Sequence, residues 1–144
     1  MYALSTVVCF FAAVSGALAV STSGIQTATV TYSTAYDLSD TSLNTVACSN
    51  GANGLITKGF TTLGSLPQFP YIGGVNGIQW NSTLCGTCWN LTYGDKSIII
   101  QGVDASPGQG FNIAKKAMDD LTNGQGIESG SVQVTYSQVA CPEH

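Results

Sequence analysis

The chain contains no arginine, and only four lysines, Lys58, Lys96, Lys115 and Lys116, stand against eight carboxylates, for a formal net charge of −4. A surface so poor in cations excludes nucleic acid and anionic membranes as partners, because both are held chiefly by neutralising phosphate charge. Histidine is nearly missing too, its one copy being the terminal His144. Without an internal histidine the Ser and Cys catalytic triads are excluded, and no phosphate-binding loop is present. Cys85-Gly-Thr-Cys88 is the single C-x-x-C, with no second pair to complete a zinc site, so no metal or other cofactor is expected. After residue 19 no apolar run is long enough to cross a bilayer.

What is present begins with an apolar leader. Phe10, Phe11, Ala12, Ala13 and Val14 run into Ala17-Leu18-Ala19, a small-x-small signal peptidase site, so cleavage after Ala19 is expected. Residues 20–26 are Ser-, Thr- and Gly-rich and read as a flexible leader before a single domain at 27–144. Cys9 leaves with the signal peptide. Cys48, Cys85, Cys88 and Cys141 remain, an even set that suits an oxidising, extracellular compartment and allows three pairings. Few charges and many hydroxyls and amides suit a neutral polar ligand such as a sugar.

Hydrophobic periodicity places the elements. Trp89, Leu91 and Tyr93 alternate with Asn90 and Thr92, which predicts a strand with the large apolar groups facing inward. A Gly94-Asp95 turn joins it to Ser97–Asp104, rich in β-branched residues, as a hairpin. Ala28, Val30 and Tyr32 mark a first strand and Val132, Val134 and Tyr136 a last one. Val46-Ala47-Cys48 reads as a short strand, and Gly59–Gly77 as an irregular, glycine-punctuated connection. The one helix is expected over Asn112–Thr122, capped by Asn112 and Gly124, with Ile113, Ala114, Ala117, Met118 and Leu121 on its buried face. Short strands, one short helix and two disulfides assemble most economically as a small β-barrel, since closure removes exposed sheet edges. Asn81-Ser-Thr and Asn90-Leu-Thr are N-glycosylation sequons.

Several of these stretches together resemble the cerato-platanin family of small secreted fungal proteins. They are Val30-Thr-Tyr32, Val46-Ala-Cys48-Ser-Asn-Gly51, Thr62-Leu-Gly64, Pro67-x-Phe69-Pro70, Cys85-Gly-Thr-Cys88-Trp89, Gly102-Val-Asp104 and Gly110-Phe-Asn112. The resemblance spans the mature chain and implies a mainly β fold, a six-stranded double-psi β-barrel like the first domain of expansins. It also implies disulfides Cys48–Cys85 and Cys88–Cys141. Its functional implications are an extracellular or wall-associated location, binding of chitin or N-acetylglucosamine oligomers, non-hydrolytic wall loosening, and elicitation of plant defence through a plant receptor.

Asp104 matches the family's Gly-Val-Asp motif and is the leading carbohydrate ligand, although an Asx turn ending the strand would also explain an Asp there. Tyr32, Ser49 and Asn50 match positions near the same face. For Tyr32 and Tyr36, packing with a hydrogen-bonded hydroxyl is the stronger reading. Ser33 departs from the family, which commonly carries Asp at that position, and this removes a second carboxylate. A glycoside hydrolase needs two carboxyl groups about 5–10 Å apart. Asp37 and Asp40 are the remaining candidates to approach Asp104, so the enzyme is the alternative and non-catalytic binding the expectation. A self-assembling, surface-active protein is a third class, against which four cysteines rather than a hydrophobin's eight argue.

Overall fold

The computed structural model describes residues 24–143, so the signal-peptide reading falls outside the described residues. Six strands, β1 (Gln26–Ser33), β2 (Ile72–Val75), β3 (Cys88–Tyr93), β4 (Lys96–Ala105), β5 (Gly110–Ala114) and β6 (Ser131–Val139), close into a barrel in the order β1-β5-β2-β4-β3-β6. The β1/β5 and β2/β4 pairs are parallel and the other four antiparallel. This is the double-psi β-barrel.

The β3/β4 hairpin forms as its pattern predicts. Tyr93 faces Lys96 across Gly94-Asp95, and Gly94 takes the positive φ of 60° that such a two-residue turn demands. Leu91, opposite Ile98 and Tyr136, is wholly buried, together with Val30, Ile100 and Ile113. Each of these side chains contributes about 1.5–3 kcal/mol by leaving water. One end of the barrel is closed by Trp89, Phe111 and Tyr136, whose ring centroids lie 5.2–6.1 Å apart in tilted and edge-on contacts.

Three expectations are corrected. The expected helix over Asn112–Thr122 begins only at Lys115: Gly110–Ala114 is strand β5, and α1 spans Lys115–Thr122. Phe111, Ile113 and Ala114 are buried as strand residues, and Asn112 is no cap. At the other end Asn123, with φ 51°, and Gly124, with φ 87°, are both left-handed and donate back to the Asp119 carbonyl, so Gly124 does help end α1, and it also leads into a short α2 (Gln125–Ser129). Second, the connection from Gly59 to Gly77 contains β2, whose four residues are all buried between β4 and β5. Side chains at Gly73 and Gly74 would sit 2.5 Å from the backbone oxygens of Asn112 and Ala105, so only glycine lets the three strands approach. Third, Val46-Ala47-Cys48 is not a strand but the exit of a 3-10 turn over Leu43–Thr45.

Residues 34–71 form a flank on the barrel wall. Three 3-10 turns and a single isolated bridge, Ser42 to Thr62, replace regular pairing, yet Leu43, Cys48, Leu55, Leu63 and Leu66 are buried. The Cys48–Cys85 disulfide ties this flank to the barrel, and Cys88–Cys141 ties the chain's end to β3. Both bridges are those the family resemblance implies.

Candidate functional site

A polar stretch of the wall lies where β5, β2 and β4 run side by side, next to an open cleft. Register pairs Gly74 of β2 with Asn112 on one side and Asp104 on the other, past a bulge between Gly73 and Gly74. Paired residues rise on the same face, so two polar side chains flank a strand position that has none. That face is the outer one, because the neighbouring Phe111 and Ile113 are buried inward. Thr31, the β1 partner of Asn112, extends the row and donates its hydroxyl proton to the Phe111 carbonyl. Thr29 and Thr31 also line an open cleft of about 360 Å³ beneath residues 106–109.

Asp104 is held firmly. Its Oδ1 accepts from the backbone N–H groups of Ala47 and Ala105, both at 2.8 Å, and its Oδ2 accepts from the Tyr36 hydroxyl at 3.0 Å. The carboxylate thus ties the end of β4 to the flank, while the Ser106 N–H that an Asx turn would use goes to the Val75 carbonyl. Tyr36 is buried, and its burial first and the Asp104 charge second push its phenol well above the ordinary range. Asn112 is half-buried, and its Oδ1 is covered and accepts no hydrogen bond. A covered acceptor without a donor costs about 1–3 kcal/mol, and such groups call for a specific explanation.

Of the other sequence candidates, Tyr32 does not reach this face. It pairs with Ile113 on the inward side and donates its hydroxyl to the Ile127 carbonyl at 3.3 Å. Ser49 is half-buried in the flank, where its carbonyl accepts from the Ile56 N–H. Asn50 is exposed and accepts at Oδ1 from the Trp80 indole N–H at 2.7 Å. Asn81, at φ 60°, accepts from the Asn53 N–H, and Asn90 lies on the outward side of β3 opposite Ser137. Sequence reasoning missed Asn112 because helical spacing claimed it. Its signal was the Gly-Phe-Asn stretch directly after the Asp104 loop.

The arrangement offers acceptors and hydroxyls, not an acid–base pair. Asp37 spends both carboxylate oxygens on the Lys115 and Lys116 backbone N–H groups at 2.8 and 2.9 Å, capping α1 from 78 residues away. Asp40 accepts from the adjacent Ser39 hydroxyl. Among the described residues no three His, Cys, Asp or Glu side chains gather as a metal site.

A small closed barrel braced by two disulfides defines the molecule as a double-psi β-barrel protein. The comparisons with known proteins narrow this. The cerato-platanin family model matches residues 28–143. The allergen Asp f 15 of Aspergillus fumigatus is 52% identical over 116 residues, covering 80% of this chain and 74% of that protein. Cerato-platanin 1 of M. perniciosa superposes with a TM-score of 0.74 at 44% identity, over 78% of this chain and 94% of that one. The fungal elicitor cerato-platanin does so with a TM-score of 0.68 at 41% identity, over 77% and 91%. The chain belongs to the cerato-platanin family. A mutant expansin of Clavibacter michiganensis, crystallised with cellohexaose, shares the fold at 18% identity and a TM-score of 0.56, over 83% of this chain and 53% of that protein.

Proposed function

We propose that this protein is a secreted, non-catalytic carbohydrate-binding protein that takes neutral β-linked oligosaccharides, of the chitin or N-acetylglucosamine type, along the recess between Asp104 and Asn112. The observation that carries this reading is the register that sets these two side chains on either side of Gly74. The row runs into the open cleft lined by Thr29, Thr31 and residues 106–109, where hydroxyl and amide groups can meet a sugar's hydroxyls or acetamido N–H. Asp104 retains acceptor capacity beside it. The cellohexaose bound by the expansin of like fold supports a saccharide ligand.

The recess is open and buries little apolar surface, so affinity is on the order of micromolar to millimolar. Loosening of wall polysaccharide follows from competition for interchain hydrogen bonds, not from bond cleavage. Elicitation, supported by the elicitor among its structural relatives, requires a plant receptor that reads the same surface. The disulfides and the low charge fit an extracellular or wall location.

Titration of the mature protein with N-acetylglucosamine and cello-oligomers, followed by backbone amide NMR and a reducing-end assay, tests the reading. Shifts at Asn112, Asp104 and Thr31, weakened in Asn112→Ala and without product release, are expected. Shifts elsewhere alone would refute the site, and released reducing ends lost in Asp104→Ala would restore the hydrolase. Film formation at an air surface without any saccharide response would favour the surface-active class.

A further inference from the structure

Trp80 is 61% exposed, one of three large apolar side chains left in water among the described residues. Ile25 and Leu38 are the other two, in the N-terminal segment and the flank. A single indole is too small an apolar patch for a protein partner, which takes several hundred Å². Its setting is built rather than accidental. The ring's N–H donates to Asn50 Oδ1 at 2.7 Å, which fixes the ring against free rotation. The next residue, Asn81, stands at φ 60° and is clamped by Asn53: the Asn53 N–H donates to its Oδ1 and the Asn53 amide group to its carbonyl, both at 3.0 Å. Gly51 leaves room for Asn81, since a Cβ there would meet Asn81 Oδ1 at 2.6 Å.

One short stretch of backbone joins this indole to the recess. Ala47 donates its N–H to Asp104 at 2.8 Å, Cys48 donates to the Val103 carbonyl and is bridged to Cys85, and Asn50 holds Trp80. From Ala47 to Asn50 the backbone spans at most ~11 Å, and the Asp104 and Trp80 side chains at its two ends add to that separation. An oligosaccharide covers such a distance, and a single sugar does not. The ring is bordered by the amides of Asn50 and Asn81 and by exposed Gln79, with no charge among them. An aromatic face with amides at its rim matches a pyranose, which presents C–H groups on one face and hydroxyls around its edge.

We infer that Trp80, oriented by Asn50, is a stacking platform for a distal unit of the oligosaccharide that occupies the Asp104–Asn112 recess. The inference rests on the proposed carbohydrate reading and adds to it a second subsite that makes affinity depend on chain length. Asn50 then acts as a positioning residue, its Oδ1 engaged by the indole.

The test is tryptophan fluorescence with the N-acetylglucosamine dimer and hexamer, on protein carrying Thr83→Ala so that no glycan at Asn81 covers the ring. Trp89 is half-buried against Phe111 and Tyr136 but also lines an open cleft, so the Trp80→Ala variant is what separates the signals of the two indoles. The expected result is an emission change with hexamer that is lost in Trp80→Ala. That variant should weaken hexamer binding about two- to tenfold and narrow the gap between hexamer and dimer, with Trp80→Tyr restoring part of it. Asn112→Ala should weaken both oligomers. Constant emission at saturating hexamer, or equal loss for both lengths in Trp80→Ala, overturns the platform. If amide shifts at Asn112 and Asp104 persist while emission stays constant, only the platform falls. If neither responds, the recess falls with it.

Discussion

The barrel wall and the flank formed by residues 34–71 both bury apolar side chains, but by different means. In the wall, each strand pairs with two neighbours, and the load is spread over continuous backbone ladders. The flank has almost no ladder. Its chain is held by single turn bonds, by the pair of bonds about the isolated Ser42–Thr62 bridge, Leu43 N–H to the Thr61 carbonyl and Leu63 N–H to the Thr41 carbonyl, by one disulfide, and by Asp104 reaching across from β4. Distributed bonding tolerates the loss of any one contact, whereas point bonding does not. The candidate site sits on the seam between the two, so its carboxylate both supports the flank and faces the recess.

The largest effect should come from cutting the flank's covalent tie. Replacing Cys48 and Cys85 together by Ala opens a loop closed over 37 residues and should cost about 4 kcal/mol in the chain-entropy model, read from denaturant midpoints. Hydrogen exchange should speed in the flank well before β1 and β6. A uniform rise across both regions would erase the distinction. The second effect is Asp104→Ala, expected to cost about 1–3 kcal/mol because the Ala47 N–H and the buried Tyr36 hydroxyl lose their acceptor. Faster exchange at Ala47 and unchanged exchange in β6 are the expected pattern. Asn112→Ala removes only an unsatisfied acceptor and is the cleaner probe of binding.

The smallest effect is a slope with pH. Tyr36 has its phenol raised above the ordinary 10.0, so the folded state keeps a proton that the unfolded chain releases. Its stabilising contribution is full below pH 10.0 and is lost as pH rises beyond it toward the folded value. Tyr71, raised chiefly by its hydrogen bond to Asp120, adds a weaker slope of the same sign. Unfolding midpoints on either side of pH 10.0 should fall with rising pH, and Tyr36→Phe should flatten most of that fall. An unaltered slope in the variant would show that the flank's buried phenol is not coupled to folding.

The edges of legibility follow the same division. Strands β1, β3 and β6 could be read because each carries a run of alternating residues, and β4 because β-branched residues follow a turn signal, all local properties of the chain. β2 was hidden because Ile-Gly-Gly-Val, buried on both faces, has no alternation and carries the glycines that usually mark loops. The end of β5 was mistaken for helix because Ile113 and Ala114 share a helical face with Ala117, Met118 and Leu121 of α1, although Phe111 and Ile113 alternate as in a strand. With it went Asn112, and so half of the recess. Asp104 was found through a motif, but its three partners could not be, since two of them lie 57 and 68 residues away.

The sequence by itself determined what local chemistry can carry: a cation-poor, mildly acidic surface, alternating strands, an even set of cysteines after the leader, and the ordered motifs of a family. Only the tertiary structure decided which polar groups meet. It brought Asn112 and Asp104 together across Gly74, sent Tyr32 to the inward face, used Asp37 to cap a distant helix, and bound Trp80 to Asn50. The physical reason is that parallel strand pairs and loop-built flanks join residues far apart in the chain. Their meeting is set by closure of the barrel, which no local window contains.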